Sequence, residues 1–401
     1  MAGTIRTTAI RRRLYTVAGQ IAKPFTDSRR RTFVKQMLVG LVSSGQVHLT
    51  AIARGVSGGT GNIHAMEKRL SGHLGSEHWD MSPVADELLR RSSGRVSEDT
   101  LVVADTTDLA KPYARALEGL GRVHDGSDPQ QRIVPGYVLF EAYVRVGRWQ
   151  LFPLLLEPLK VYAGAPTGEN AEILGHLLRI HAATQQKGTW LLDRGFDRRE
   201  LFGPLVRNGV AFIVRETGER HVRTADGREL SVHDLVAEQI CPRPRRWPKY
   251  GVAIAIEVWL PEVGLEPFQL VIGWRYPNSD RPLILLVSPA ARRPGRTARW
   301  FVRAYHRRWG VEDANRGIKQ RFAVESFLVR TWCAIRRLLW LVAWAFWWLN
   351  LWGDEKFEQL RNRLMNHGWR LRKKVIYLFD WIASMLRELL HPTPKLSPDT
   401  G

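Results

Sequence analysis

The stretch Leu101-Val-Val-Ala-Asp105 reads as a buried β-strand that ends in an acidic residue. Farther along the chain, Thr189-Trp-Leu-Leu-Asp193 repeats this pattern. The same reasoning predicts further elements around these two stretches: strands at 136–146, 149–156 and 210–215, and helices at 170–186 and 198–207. Strands that alternate with helices in this way predict an α/β fold.

The segments that flank this α/β region have a different pattern. Residues 1–95 read as helical, and two short helices joined through glycine within 49–74 are typical of a DNA-binding helix-turn-helix, although a plain helical bundle fits as well. The α/β region spans 96–350 and contains a β-rich insertion at about 217–291. Residues 351–401 are expected to form a helical tail that is a candidate for dimerisation.

The charge of the chain indicates a polyanionic partner. Lysine and arginine number 60 against 39 aspartate and glutamate residues, so the formal net charge is +21. Basic residues occur along the whole chain, which predicts a long electrostatic contact surface instead of a single basic tail. Nucleic acid is the first expectation for the partner, and an anionic membrane surface is the alternative.

Cysteine content and hydropathy indicate the cellular compartment. The two cysteines, Cys241 and Cys333, lie far apart without a metal-binding pattern, which argues against a zinc site and a disulfide scaffold. The basic N-terminus has no apolar signal-peptide run, so a cytoplasmic protein is expected. The run Leu338–Trp352 is shorter than the ~20 apolar residues that span a bilayer, and it predicts a buried core helix with no membrane segment.

A short basic stretch has the pattern of a functional helix: Tyr305-His-Arg-Arg308-Trp-Gly-Val-Glu312-Asp-Ala-Asn-Arg-Gly-Ile-Lys319. In an α-helix, Tyr305, Arg308, Glu312 and Lys319 fall within roughly 60° of arc on one face. An acid flanked by two cations and a phenol suits a site that holds a metal and a phosphodiester together. A solvated helix with ordinary ion pairs fits this stretch equally well when it is taken alone.

Acidic residues at predicted strand ends are the candidate metal ligands. Asp105 and Asp193 stand at the carboxyl ends of strands, where ligand-binding groups of α/β sheets collect. Asp197 fits a helix N-cap with Glu200 three residues later, and Asp108 is expected in a turn beyond its strand, so neither is favoured. Together with Glu312, the two favoured acids can converge on two Mg²⁺ ions, which prefer oxygen ligands.

These motifs resemble those of DDE transposases from bacterial insertion sequences, in the branch that carries the Tyr-x2-Arg-x3-Glu-x6-Lys signature. The signature residues match at every spacing: Tyr305, Arg308, Glu312 and Lys319. Val103-Ala-Asp105-Thr-Thr resembles the first acidic motif of the family, and Leu192-Asp193-Arg-Gly-Phe resembles the second. The resemblance covers about residues 30 to 350, and the signature combined with both acidic motifs is highly specific.

The resemblance implies a ribonuclease-H-like catalytic core interrupted by the β-rich insertion, between a helical DNA-binding domain and a helical C-terminal region. Asp105, Asp193 and Glu312 would be the catalytic residues and the ligands of two Mg²⁺ ions, with Mn²⁺ as a substitute. Tyr305, Arg308 and Lys319 would contact DNA. The activity would be cut-and-paste transposition, with a homodimer acting on double-stranded DNA at terminal inverted repeats and at a target site.

The family resemblance also implies a hairpin intermediate held by an aromatic residue. The expected neighbourhood, Pro282-Leu-Ile-Leu-Leu-Val, has no aromatic residue, which leaves Trp274 and Tyr276 as candidates for stacking on a flipped base. The alternatives to an active transposase are a ribonuclease-H-like nuclease without strand transfer and a catalytically silent, transposase-derived DNA-binding regulator. A peripheral membrane protein is the fourth alternative.

Overall fold

Strands from both halves of the chain join one sheet in the computed structural model. The structure describes residues 7–351, except 59–60, 126–127, 129, 131, 148–149, 161–167, 243, 245–246, 250 and 277–280. Within these residues, eleven strands form one mixed sheet. Helices pack against this sheet, so the predicted α/β fold is confirmed at the level of a mixed fold with a large central sheet.

The first six strands comprise the five that the sequence predicted in this region and one, β2 at Gly121–His124, that it did not predict. Their bounds are β1 Leu101–Ala110, β2 Gly121–His124, β3 Ile133–Val146, β4 Gln150–Pro158, β5 Thr189–Leu192 and β6 Phe212–Arg215. Strand β3 runs antiparallel to β1, β2 and β4, whereas β5 is parallel to both β1 and β6. Two helices belong to this region, α6 Glu169–Ala183 and α7 Arg199–Arg207.

The β-rich region continues the same sheet. Its strands are β7 His221–Thr224, β8 Glu229–Ser231, β9 Val252–Trp259, β10 Pro267–Trp274 and β11 Leu283–Val287, with helix α8 at Val232–Ala237. Strand β11 pairs antiparallel with β6 through Leu285↔Arg215, so the β-rich strands extend the edge that β6 would otherwise leave open. The strand order of the whole sheet is β2-β3-β1-β5-β6-β11-β10-β9-β7-β8, with β4 paired to β3. The bounds of an insertion at 217–291 remain a prediction.

Among the described residues, five α-helices form the N-terminal region. They are α1 Thr7–Ile21, α2 Ser28–Ser44, α3 Leu49–Ser57, α4 Ile63–Gly75 and α5 Ser82–Ser93. Asp27 caps α2 by accepting a hydrogen bond from the Arg29 amide at 2.7 Å, and Asn62 caps α4 in the same way through the Ala65 amide. Glycine in α2 allows α3 to approach closely, since a Cβ on Gly40 would lie 2.5 Å from Ile52 Cγ2.

The helices that follow the sheet are α9 Ala298–His306, α10 Gly310–Arg316 and α11 Trp332–Asn350. As its apolar run predicted, α11 is buried, and it packs against β4 on one side and the N-terminal helices on the other. Trp344 is fully buried and donates its indole N–H to the Val84 carbonyl at 2.8 Å. The N-terminal helices and the sheet therefore share one hydrophobic core, with α11 at its centre.

Two predictions concern membranes and the C-terminal tail. None of the helices in the described ranges is long and apolar enough to cross a membrane. The predicted helical tail at 351–401, with its candidate role in dimerisation, lies outside the described residues except for its first position.

Candidate active site

Parallel pairing between β1 and β5 brings the first two acids together. The last paired positions are Ala104 and Leu192, so Asp105 and Asp193 are the next residues on neighbouring strands. The prediction that Asp105 ends its strand is wrong, because β1 continues to Ala110. It continues because β3 pairs with its full length, whereas β5 stops at Leu192.

The two competing aspartates have structural partners, although not those that the sequence predicted. Asp108 lies within β1 and not in a turn, and its carboxylate accepts a hydrogen bond from the His124 amide at 3.1 Å. The N-cap of α7 is Arg198, so the predicted capping role of Asp197 is wrong. Asp197 is instead a buried ion-pair partner of Arg220, which also pairs with Glu216 and Glu262.

The signature stretch is not one regular α-helix. Helix α9 ends at His306, a 3₁₀ turn spans Arg307–Trp309, α10 spans Gly310–Arg316, and a π-helical turn covers Gly317–Arg321. Each residue of a 3₁₀ turn rotates the chain by more than the ~100° of an α-helix, and each residue of a π turn rotates it by less. The single face predicted at 100° per residue therefore does not extend to the end of the stretch.

Arg308 joins all three candidate acids. Its Nη1 atom lies 3.1 Å from Asp105 Oδ2, and its Nη2 atom lies 3.6 Å from Asp193 Oδ1 and 3.4 Å from Glu312 Oε1. The Arg308 side chain is buried, whereas Glu312 is partly exposed. One guanidinium thus pairs with carboxylates from β1, from the residue after β5 and from α10.

Tyr305 reaches the same group of side chains, and Lys319 does not. The Tyr305 hydroxyl lies 3.4 Å from Asp193 Oδ1, within hydrogen-bonding distance. Lys319 donates to the Asp108 carbonyl at 2.5 Å and lies 3.4 Å from Glu325. Tyr305, Arg308 and Glu312 of the signature therefore lie together with Asp105 and Asp193. Lys319 lies apart from them, beside the second half of β1.

Burial and neighbouring charge perturb the pKa values of Asp105 and Tyr305. Burial raises the pKa of Asp105 to about 6, with Arg308 opposing this rise and Asp193 adding to it. Burial likewise raises the pKa of Tyr305 above its usual range, again with Arg308 opposing. Strongly perturbed titrating groups that converge from separate elements are typical of functional sites.

Sequence reasoning missed a fourth acid, Glu141. It lies on β3 directly opposite Asp105 and accepts a hydrogen bond from the Tyr143 hydroxyl at 2.8 Å. Its other oxygen, Oε1, is buried without a hydrogen-bond partner among the described residues. Burial raises the pKa of Glu141 to about 8, and the charge of Asp105 adds to this effect. A glutamate in the middle of an apolar strand pattern was the sequence feature that could have revealed it.

The donor set fits a hard divalent cation once Arg308 is displaced. Three carboxylates already meet at one cationic group, and carboxylate oxygens are the preferred ligands of Mg²⁺. Within the described part of the chain, however, no three histidine, cysteine, aspartate or glutamate side chains are arranged to hold a metal ion directly. The guanidinium occupies the space between the acids, so a metal would require Arg308 to turn away.

The two candidate stacking residues differ in exposure. Trp274 is 5% exposed and belongs to the core of the β-rich strands, whereas Tyr276 is 61% exposed with the Arg275 guanidinium over its ring. A buried indole has no free face for a base. Of the two, Tyr276 alone presents an aromatic ring to solvent.

Comparison with known proteins supports one class of enzyme. Residues 167–348 match the family described as transposase DDE domain. The matched range contains Asp193, Glu312 and the signature stretch, and it begins after Asp105. This match supports a DDE transposase, an enzyme class that acts on DNA and generally uses divalent metal ions. A search of curated proteins found no match.

Proposed function

We propose that this protein is a DDE transposase that moves an insertion sequence by a cut-and-paste route, with metal-dependent phosphodiester hydrolysis followed by strand transfer. The observation that carries this proposal is the contact of one guanidinium, that of Arg308, with three carboxylates from separate elements. Two of these carboxylates and Arg308 itself lie within the range that matches the transposase DDE domain.

The order of the strands supports a ribonuclease-H-like core. The three antiparallel strands β4, β3 and β1 are followed in the sheet by β5 and β6, which run parallel to β1. Helix α6 connects β4 to β5, and α7 connects β5 to β6. In this core, the acids would come from β1, from the end of β5 and from the helix after the β-rich region.

The chemistry divides among the side chains. Asp105, Asp193 and Glu312 would hold Mg²⁺, or Mn²⁺ in its place, as two ions. The bound ions would supply an activated attacking oxygen and stabilise the leaving oxygen. Arg308, freed from the carboxylates, would grip a phosphate with two parallel hydrogen bonds, and the Tyr305 hydroxyl would donate one more.

Single neutralising substitutions test the acids. Asp105→Asn, Asp193→Asn and Glu312→Gln should each reduce Mg²⁺-dependent cleavage of a transposon-end duplex by at least ~10³-fold, because each removes a charged metal ligand. Glu257→Gln is the matched control, since Glu257 lies on β9 in an ion pair with Arg292. Retention of cleavage by all three variants would exclude the assignment.

A strand-transfer assay separates the proposal from its alternatives. A transposase should join a pre-cleaved 3′-hydroxyl end to target DNA, whereas a nuclease without strand transfer would cut and not join. A silent regulator would bind the duplex and do neither. The hairpin step and the homodimer are further parts of the proposal, and a covalently closed end detected on a denaturing gel would test the former.

A further inference from the structure

A cavity of about 850 Å³ lies behind the 3₁₀ turn that carries Arg308, at the amino end of β1. Four cations line it, and we refer to it as the cation cavity: Arg95, Arg145, Lys249 and Arg307. Leu101 also lines it, whereas Asp105 lies four residues farther along the same strand. At ~3.3 Å per residue, the cavity and the acids are about 13 Å apart.

The cations of this cavity are held close together. Arg145 donates from Nη1 to the Arg307 carbonyl at 2.7 Å, which fixes its guanidinium against the turn. Burial lowers the pKa of Arg145, Arg307 lowers it further, and Asp313 acts in the opposite direction. Two like charges at a partly buried position are unfavourable unless an anion lies between them.

The acid in the lining pairs with a cation that is not one of these four. Asp99 is the single acidic residue among the described residues that line the cavity. Its carboxylate pairs with Arg296 at 3.1 Å, and the Arg296 side chain is almost fully buried. Asp99 thus already has a cationic partner, and the described residues that line the cavity comprise four cations against this one acid.

We propose that the cation cavity binds a backbone phosphate of the DNA, separately from the phosphate at the three acids. This inference rests on the proposed function, because it takes the polyanion to be the DNA that the enzyme processes. About 13 Å corresponds to roughly four base pairs along a duplex axis. Two adjacent residues of one 3₁₀ turn, Arg307 and Arg308, lie at the cavity and at the acids, respectively.

The salt dependence of DNA binding tests this site. The test variant combines Lys249→Gln with Arg307→Gln, which keeps the Arg307 carbonyl that Arg145 contacts. The control combines Arg179→Gln with Arg228→Gln, two cations that already pair with Asp86 and Asp226. Both variants lower the net charge equally. Binding of the full chain to a duplex is measured by fluorescence anisotropy in EDTA over a range of KCl concentrations.

The expected result is a change in slope for the test variant alone. A plot of log K against log salt should become shallower by about 0.9 for each phosphate that the variant no longer neutralises. The control should keep the slope of the wild type, and thermal melts should show that both variants fold. Equal slopes for the two variants would show that the cation cavity does not bind a DNA phosphate, and they would leave the proposed function intact.

Two other outcomes are also decisive. If the wild-type chain bound no duplex, the proposed function would fail, and the cavity proposal would fail with it. If inorganic phosphate protected the wild-type protein but not the test variant against heat, while the duplex slopes stayed equal, the cavity would serve a small free anion and the DNA assignment would be wrong.

Discussion

Among single residues, Arg308 has the most consequential position, because its guanidinium lies between three acids. Replacement by methionine keeps the bulk of the side chain and removes this charge. We expect Arg308→Met to lower the free energy of unfolding in EDTA by about 3 kcal/mol, since breaking a buried pair leaves uncompensated carboxylates. Mg²⁺ should restore much of this loss in thermal melts.

The matched control for this prediction is Arg307→Met, because Arg307 is exposed on the same turn. It should change stability by less than about 0.5 kcal/mol and respond to Mg²⁺ as the wild type does. A variant at Arg308 that is destabilised but insensitive to Mg²⁺ would count against metal binding by the three acids.

Glu141 gives a prediction for pH dependence. Its folded pKa of about 8 lies above the ordinary value of 4.5, so the folded protein keeps a proton that the unfolded chain releases. The contribution of this group to stability is therefore present at low pH and declines between pH 4.5 and about 8. Glu141→Gln should remove a slope of up to about 1.4 kcal/mol per pH unit in this window.

Denaturant titrations of wild type and Glu141→Gln at several pH values measure this effect. The variant should gain stability relative to wild type as the pH rises, and the two should be closest near pH 4.5. Glutamine has nearly the same shape as glutamate but cannot ionise, so the comparison isolates the effect of the Glu141 proton. Parallel stability curves across the window would show that Glu141 has an ordinary pKa in the folded state.

Among the secondary-structure elements, the crossing of α2 and α3 depends on a glycine. A Cβ on Gly40 would lie 2.5 Å from Ile52 Cγ2 and 2.6 Å from the Ile52 carbonyl oxygen, and backbone cannot yield as a flexible side chain does. Gly40→Ala should therefore lower the free energy of unfolding by about 2 kcal/mol through overpacking.

Gly72 in α4 provides the matched substitution, because nothing lies within 4 Å of the position that a Cβ would take there. Gly72→Ala should raise stability by about 0.5–1 kcal/mol through helix propensity alone. Chemical denaturation of both variants gives the comparison. Equal effects at the two glycines would mean that the close approach of α2 and α3 does not exist in solution.

The stretch Tyr305–Lys319 shows how well helical periodicity alone predicts which side chains lie together. The helical pattern of Tyr305–Lys319 grouped Tyr305, Arg308 and Glu312, and the structure brings these three side chains together at the acids. Lys319 lies within the π turn and bonds to β1 instead. Small departures from 100° per residue accumulate with distance, so the sequence could not place the last member of the signature.

Across the whole molecule, α11 joins regions that the sequence assigned to separate domains. Trp344 is fully buried in α11 and donates to the Val84 carbonyl in the N-terminal helices, while other residues of α11 pack on β4. Trp344→Ala should lower the free energy of unfolding by about 3–5 kcal/mol because it opens a cavity in this shared core.

Trp309 is the control for this substitution, since it is 61% exposed. Trp309→Ala should change stability by less than about 0.5 kcal/mol. Far-ultraviolet circular dichroism and tryptophan fluorescence should also give coincident unfolding curves for the wild type, because the helices and the sheet share their core. Two separate transitions would indicate that the N-terminal helices fold independently.

The sequence by itself determined most of the elements and singled out the three candidate acids. Apolar strand patterns ending at Asp105 and Asp193 located β1 and β5, and spacing singled out Glu312, because such patterns reflect local burial and local geometry. Only the tertiary structure decided that β1 runs past Asp105, since the length of a ladder is set by the partner strand. It also decided that Arg308 sits between the acids and that Glu141 lies opposite Asp105. These contacts join residues far apart in the chain, and their energies depend on burial that no local pattern encodes.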